Sequence, residues 1–558
     1  MILNGSQIIL ECLLEQGVDT VFGYPGGAVL NIYDALYDYS DRIRHILTSH
    51  EQGASHAADG YARSTGKTGV VIATSGPGAT NLVTGLATAY MDSIPVVAIT
   101  GNVATPLLGL DSFQEVDITG ITMPITKHNY IVKDVAKLAD AIREAFFIAN
   151  DGRKGPVLID VPKDISAAKC EFQPKVPEGH SYRIDDEEIS AAVKIIEQSE
   201  KPFIYAGGGV VSCNATKELA EFAELIDAPV SLSLMGQCAF DNSDDRYTGM
   251  LGMHGTKTSS LALAESDLMI VLGARFSDRV TCSTDSFRTV TGTAKILHIE
   301  IDPAEVNKNI PADARICGNV ELVLKRLNET LNRKKHPEWM KQIADWKRTY
   351  PLTQVSENSG EVLPKDVIET LDELTHGEAI ISTEVGQHQM WTAEFYNFRK
   401  PRCFASSGGL GTMGYGLGAA IGCKVGNPDR VVVNCAGDGS FYMNMNELTT
   451  LAKYQLPVIE LIFNNSVLGM VRQWQKLFYN NHFSQTTLEK PTDFELLGKA
   501  LGIEAMTIKT KDDIRPVLEK AIALNKPVLI NCIIDKDINV LPMVPAGASI
   551  AEPILEIK

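Results

Sequence analysis

Positive charge is scarce in this chain: 51 lysines and arginines face 69 aspartates and glutamates, leaving a net charge of −18. Such a surface repels nucleic acid and anionic membrane, so neither is expected as a partner. A phosphate-bearing ligand must then be held by local donors, not by a general positive field. No apolar run approaches the roughly 20 residues that a membrane-spanning helix needs. The first residues carry neither a basic segment with an apolar run behind it nor an Arg- and Ser-rich leader; they read at once as a helix from Gly5 to Gln16. The ten cysteines are scattered singly, several in apolar surroundings (Cys12, Cys423, Cys435, Cys532), without metal-ligand spacing or a paired framework. Reduced thiols in a cytoplasm are the expectation.

What is present is a long chain of apolar strands. At 558 residues it exceeds one hydrophobic core, and three domains are expected. Strand-like runs at 69–75, 95–100, 156–161, 268–273, 296–301, 379–383 and 527–533 are each followed by a loop and a helical pattern. Continuous apolar strands alternating with helices indicate parallel sheets covered on both faces, so the fold class is α/β, three doubly wound parallel-sheet domains. Residues 171–187 and 336–362 break the pattern and read as linkers, leaving domains at 1–170, 188–335 and 363–540 and a tail at 541–558. An internal echo supports this division. Ser75–Asn81 leads through a helix to Ser93–Asn102, and Gly437–Ser440 leads through a helix to Gln455–Asn465 in the same element order.

The most informative stretch runs from Gly437 to Asn465. Gly437-Asp438-Gly439-Ser440 follows an apolar strand, and Asn464-Asn465 follows the next one. Both ends fall at the C-terminal edge of adjacent parallel strands, where open α/β sheets bind ligands. Glycines let the backbone approach a phosphate, and a following helix adds N–H donors and a favourable dipole. One carboxylate and one amide oxygen, completed by phosphate oxygens and water, suit Mg²⁺. Alone, Gly-Asp-Gly marks many strand ends and Asn-Asn many turns. Together, with Ser440 to Phe463 between them, they resemble the thiamine-diphosphate signature. From about residue 3 to 550 the chain resembles the large, catalytic subunits of biosynthetic acetohydroxyacid (acetolactate) synthases.

That resemblance assigns the first domain to the cofactor's pyrimidine. A glutamate in the first turn of a helix is ordinarily a dipole or capping residue, but Glu51 falls where the family's catalytic glutamate contacts N1′ of the pyrimidine. A carboxyl group there permits the imino tautomer whose nitrogen removes the C2 proton. The flanking His50 and His56 are read as structural. The turn Tyr24-Pro-Gly-Gly27 would bring Gly26 and Gly27 near the reacting carbon. Phe113 and Gln114 match a pair lining the substrate pocket, although Phe-Gln also reads as a helix start with a buried aromatic. Lys163 matches a lysine near the substrate channel, and Arg153 a flavin-contacting arginine.

In the second domain, Tyr205-Ala-Gly-Gly-Gly209 follows a strand as a dinucleotide loop would, without a full Gly-x-Gly-x-x-Gly. The order of the later turns resembles the family's FAD-binding domain. It implies contacts from Gly207, Gly208, Leu234, Met235, Leu251, Gly252, Met253, His254, Gly273, Arg275, Glu300, Ile301 and Asn319. Glu300, after a strand, has the chemistry to accept ribose hydroxyls. Arg279 matches an arginine facing the substrate carboxylate. Ser277 and Asn319 stand where the family usually has Asp, so contacts near the adenosine are expected to differ. In the family that the chain resembles, the flavin does no net redox work in acetolactate formation.

In the third domain, Gly386, Gln387 and His388 match the diphosphate-binding turn, and Gly411 and Met413 the turn meeting the aminopyrimidine. Met413 would force the cofactor into a bent shape. Gly437, Asp438, Gly439, Ser440, Met443, Asn465, Gly469 and Met470 complete the thiamine-diphosphate set, and Asp438, Asn465 and the Val467 carbonyl would hold Mg²⁺. A tryptophan at 474 would alone read as packing. In anabolic members it narrows the pocket, with Met470 beside it, and favours 2-oxobutanoate; flavin-independent catabolic relatives generally lack it. The resemblance implies condensation of pyruvate with pyruvate or 2-oxobutanoate in branched-chain amino-acid biosynthesis. It also implies a homodimer or homotetramer with a site shared between subunits, and it admits a small regulatory subunit. The rivals are a catabolic acetolactate synthase and a non-catalytic cofactor-binding homologue.

Overall fold

The computed structural model describes residues 1–354, 360–489 and 492–557. Three six-stranded, wholly parallel sheets organise them. The first runs, in spatial order, Arg44–Leu47, Thr20–Tyr24, Gly69–Ala73, Val96–Asn102, Val157–Pro162 and His128–Ile131. The third runs Phe404–Ser406, Ile380–Thr383, Val432–Gly437, Val458–Asn464, Val528–Ile533 and Glu504–Ile508. Numbered within each sheet, both have the order 2-1-3-4-6-5, so the echo between the two outer domains extends to their whole topology. The middle sheet differs. Tyr247–Met250, Val230–Leu232, Pro202–Ala206, Leu268–Leu272, Lys295–Glu300 and Ala314–Cys317 give the order 3-2-1-4-5-6. That is the doubly wound dinucleotide-binding order, with its crevice between the first and fourth strands.

The strands form where expected because their side chains are mostly apolar and buried on both faces: Val157–Pro162, Leu268–Leu272 and Val96–Asn102 have no exposed residue, and the buried Asp160 is satisfied by Thr100 Oγ1 at 2.7 Å and Asn102 Nδ2 at 2.6 Å. The outer domains share one core, in which Phe22, Ala57 and Val71 of the first pack with Ile380, Leu417 and Ile421 of the third. The Glu51–Thr65 and Gly416–Gly426 helices cross there almost backbone to backbone. A Cβ at Gly60 would lie 2.2 Å from the Ala419 carbonyl oxygen, and one at Gly422 1.8 Å from that of Ala57.

Two segments depart from the sequence reading. Within the expected linker 336–362, of which 355–359 lie outside the described residues, Pro337–Thr349 is a helix. Trp339 and Ile343 pack into the middle domain's core, and Trp339 donates its indole N–H to the Pro202 carbonyl at 3.0 Å. The expected tail is also built in. Val540, Met543, Val544 and Ile550 are buried, Val544 N–H donates to Met253 and Gly547 N–H to Cys282. Residues 538–554 thus form a strap between the third and middle domains. Among the described residues no helix is long and apolar enough to cross a membrane.

Candidate active site

The candidate residues of the first domain gather at the C-terminal edge of its sheet. Glu51 opens a helix whose N-cap, His50, accepts from Gln52 N–H. Its carboxylate accepts the Asn81 side-chain amide at 2.9 Å. The turn that starts at Ser75 joins the set. A Cβ at Gly78 would stand 3.1 Å from Glu51 Oε1 and 2.7 Å from Thr74 Cγ2, Gly26 packs against the same threonine, and Gly76 abuts the Gln114 backbone. Ala28 N–H donates to Thr74 Oγ1 at 3.3 Å. Gly27 and Lys163 are exposed at this edge. Phe113 is neither in a helix nor buried; it projects from a loop with 87% of its surface exposed.

Four turns of the third domain meet at the equivalent edge of its own sheet. Glu384 to His388 follows the Ile380–Thr383 strand, Gly411 to Gly414 lies beyond the Phe404–Ser406 strand, Gly437 to Ser440 ends the Val432–Gly437 strand, and Asn465 to Met470 follows the Val458–Asn464 strand. They are in contact. Gly414 N–H donates to Ser440 Oγ at 3.1 Å, and a Cβ at Gly437 would meet His388 Nδ1 at 2.7 Å. At Gly469 a Cβ would collide with Gln387 Oε1 at 2.0 Å and approach Asn465 Nδ2 at 3.0 Å. Burial lowers the His388 pKa to about 3, so its ring is neutral, and its Nε2 is buried without a hydrogen-bond partner among the described residues. Gln387 Oε1 is likewise unpartnered, while its Nε2 donates to Gln473 Oε1 at 2.9 Å and the Ile538 carbonyl at 3.0 Å. Asp438 is buried, Asn465 Oδ1 accepts from Val467 N–H at 3.1 Å, and Met413 is half-buried while Met443 is exposed. Among the described residues no three His, Cys, Asp or Glu side chains cluster as a metal site; a carboxylate, an amide oxygen and a backbone carbonyl are hard donors of the kind Mg²⁺ takes.

A cavity of about 1320 Å³ opens where the three domains meet. The middle domain lines it with Gly208, Leu234, Met235, Leu251, Met253, His254, Gly273, Arg275, Glu300, Ile301 and Asn319, and the first domain with Arg153. Gly386, Gly411, Met470, Trp474 and Arg279 also face it. Gly207 and Gly252 lie behind the wall, against Ala274 and the Arg279 backbone. Several side chains have jobs that the sequence did not reveal. Asn319 is a helix N-cap accepting from Glu321 and Leu322 N–H, and one Glu300 oxygen accepts from Ile301 and Asp302 N–H. Arg275 donates to the Met91 carbonyl at 3.0 Å, and Arg153 to Ser93 Oγ at 2.8 Å and Glu305 at 3.0 Å, so both arginines also bridge to neighbouring domains. Burial pushes His254 down to about 4.

Glu51, Gly26, Gly27, Phe113, Gln114 and Lys163 do not line this cavity. Sequence reasoning also missed three residues that hold the candidates. Asn81 bonds Glu51. Gln473 links Gln387 to the strap, its Nε2 donating to the Val540 carbonyl at 3.0 Å. Asp92 accepts from Gly408 N–H at 3.2 Å, Gly409 N–H at 2.7 Å and Arg63 at 2.8 Å. Asn81 closes the quoted Ser75–Asn81 motif and Gln473 adjoins Trp474, so both were within sight of a signal; Asp92 had none.

Comparison with known proteins agrees with this layout. Residues 3–121 match the N-terminal thiamine pyrophosphate (TPP) binding domain of thiamine pyrophosphate enzymes, 189–327 their central domain, and 384–532 their C-terminal TPP binding domain. The chain is 46% identical to an acetolactate synthase of Mycobacterium leprae, over 98% of this chain and 89% of the relative. It is 45% identical to an acetolactate synthase large subunit of Porphyra purpurea, over 99% and 95%. It is 44% identical to a probable acetolactate synthase large subunit of Methanocaldococcus jannaschii, over 99% and 96%. With the middle sheet inside its matched segment and the two outer sheets largely within theirs, the chain belongs to the acetolactate synthase family of thiamine pyrophosphate enzymes.

Proposed function

We propose that this chain is the catalytic subunit of a biosynthetic acetolactate synthase. It joins pyruvate to a second pyruvate or to 2-oxobutanoate with loss of CO₂, giving 2-acetolactate or 2-aceto-2-hydroxybutanoate for valine, leucine and isoleucine. The observation that carries this reading is the meeting of four turns, at 384–388, 411–414, 437–440 and 465–470, beside Asp438 and Asn465 at one sheet edge.

The residues present fit thiamine diphosphate and Mg²⁺. Two buried polar atoms, Gln387 Oε1 and His388 Nε2, face this junction without partners among the described residues, and such atoms are costly unless a ligand or water satisfies them. Asp438, Asn465 and the Val467 carbonyl would hold the metal, and the backbone of Gly437, Gly439 and Ser440 the diphosphate. When bound, the cofactor supplies the electron sink for decarboxylation. The chain's part would be to hold a proton at Glu51 for the pyrimidine, to pack Met413 against the cofactor, and to orient the second 2-oxo acid. Arg279 would meet its carboxylate, with Trp474, Met470, Phe113, Gln114 and Lys163 shaping and closing its pocket. The large cavity, framed by a sheet of dinucleotide-binding order, fits FAD; it exceeds the usual upper size of about 1,000 Å³ for small-molecule sites, as an extended dinucleotide beside a substrate entrance requires.

A second copy of the chain would bring the first-domain group to the third-domain turns, which supports a homodimer or homotetramer. The exposure of Leu110, Phe113, Met123 and Met443 is consistent with such a contact. A small regulatory subunit and a cytoplasmic location complete the proposal. The test is product formation from pyruvate with and without 2-oxobutanoate, after adding thiamine diphosphate, Mg²⁺ and FAD. Preferential acetohydroxybutanoate formation that fails in Glu51→Gln is expected. Acetolactate alone, undiminished after flavin removal, would indicate the catabolic enzyme instead.

A further inference from the structure

A fully buried carboxylate that no proposed step uses lies at the centre of the third-domain turns. Glu384 directly follows the Ile380–Thr383 strand, and its backbone N–H donates to the Cys435 carbonyl of the neighbouring strand at 3.0 Å. Its side chain has no solvent exposure. Oε2 accepts the Ser440 hydroxyl at 2.7 Å and Gly414 N–H at 2.7 Å, while Oε1 accepts Leu417 N–H at 3.1 Å. Ser440 belongs to the Gly-Asp-Gly-Ser turn, Gly414 to the turn that carries Gly411 and Met413, and Leu417 to the Gly416–Gly426 helix that leaves it. One group therefore ties together three of the four segments that meet at this edge.

The surroundings make this an expensive arrangement. The donors to Glu384 are neutral hydroxyl and amide groups. A second buried carboxylate, Glu460, is held by Asn434 Nδ2 at 3.0 and 2.9 Å; burial first, and then the charge of Glu384, raises its proton affinity. Burying a carboxylate without a cationic partner is unfavourable unless several hydrogen bonds replace water. If packing alone mattered, an apolar side chain would serve at lower cost. A carboxylate does what an apolar group cannot here: it fixes the relative positions of N–H and O–H groups on separate loops.

The hydroxyl of Ser440 is the second element. Its single proton goes to Glu384 when that carboxylate is ionised, and its oxygen accepts Gly414 N–H at 3.1 Å. Only acceptor capacity remains, and a phosphate oxygen offers no proton to accept. An anion at this turn is then left with backbone N–H groups.

We infer that Glu384 is a positioning residue for thiamine diphosphate, holding the diphosphate and pyrimidine turns in register, and that the Ser440 hydroxyl serves this carboxylate rather than a phosphate. The inference rests on the cofactor reading above.

The test measures thiamine diphosphate binding by titration calorimetry at fixed Mg²⁺, on the full chain with FAD, for the wild type, Glu384→Gln, Ser440→Ala and the double variant. Glutamine keeps the volume but turns an NH₂ group toward N–H donors. Its dissociation constant should rise tenfold or more while flavin absorbance and the KM for pyruvate at saturating cofactor change less than threefold, a split that general unfolding would not give. Ser440→Ala, which removes one donor to the carboxylate and no phosphate contact, should weaken binding about threefold. The double variant should be no weaker than Glu384→Gln, because both changes act through one group. Glu384→Gln binding within twofold of the wild type would overturn the inference, as would a greater loss in Ser440→Ala than in Glu384→Gln. If Glu384→Gln does not fold, Ser440→Ala alone decides: a loss above tenfold overturns the inference and about threefold supports it. A wild-type chain that binds no thiamine diphosphate would refute the functional reading itself.

Discussion

The Asn81 side-chain amide donates to the Glu51 carboxylate at 2.9 Å, joining the start of one helix to the end of the Ser75–Asn81 motif. In the role proposed for Glu51 its carboxyl group needs a fixed rotamer, and this bond supplies one. Hydrogen bonds to charged groups contribute about 1.5–3 kcal/mol. Asn81→Ala should therefore lower kcat for acetolactate formation by roughly ten- to a hundredfold with little change in the melting temperature. Steady-state kinetics and a thermal melt check both parts.

The same helix is capped from another domain. Glu447, fully buried, accepts Ser49 N–H with both oxygens at 3.2 and 3.1 Å and Thr450 Oγ at 2.6 Å. Its carboxylate lies where Gly53 has no side chain, since a Cβ there would come within 2.2 Å of Glu447 Oε1. Gly53→Ala must displace the cap, at a cost of about 1–3 kcal/mol. Urea unfolding should show that loss together with reduced activity; Gly66→Ala, at a left-handed helix end, should be destabilising without the same loss of activity per unit stability.

Burial raises Glu384 from its ordinary 4.5 to about 7. A carboxyl group whose folded-state pKa is raised contributes stability in full below 4.5, and that contribution is lost as pH rises through 7. The loss attached to this group is about 3 kcal/mol at most. Melting temperatures of cofactor-free wild type should thus fall between pH 4.5 and 7.5 more steeply than those of Glu384→Gln. Equal slopes in the two proteins would refute the assignment.

Trp474 faces the cavity from the Gly469–Phe478 helix, edge-on to Phe478, and its indole N–H is buried without a partner among the described residues. Removing that bulk should abolish the proposed preference for the larger second substrate. One methylene of discrimination in an apolar pocket is a matter of about 1–3 kcal/mol, so Trp474→Leu should cut the ratio of acetohydroxybutanoate to acetolactate by about tenfold or more in a competition assay.

Much of this architecture could be read in the residues because its strands are buried on both faces. Runs such as Val157–Pro162 and Leu268–Leu272, short, rich in β-branched residues and bounded by turn residues, read as interior strands, and the glycine turns sit at the C-terminal ends of such strands. The strand order of the middle sheet was not legible, since it depends on contacts between segments far apart in sequence. The Pro337–Thr349 helix was missed as a linker because its surface is charged; Trp339, Ile343 and Trp346 at helical spacing were the signal. The burial of Met543, Val544 and Ile550 was hidden among Pro542, Pro545 and Gly547, where no periodicity survives. Of the candidate site, residue types and loops could be named, but partners such as Asn81, Asp92 and Gln473 emerged only from folded geometry.

The strap at 538–554 has a bearing on biogenesis. A ribosome releases the chain from its N-terminal side, and domains fold as they emerge. The walls built by residues 153, 205–320 and 386–474 can thus form while the segment that pins Met253 and Cys282 to the third domain is still unmade. The contacts that residues 538–554 make between the third and middle domains are therefore completed after the walls of a cavity that those residues do not themselves line.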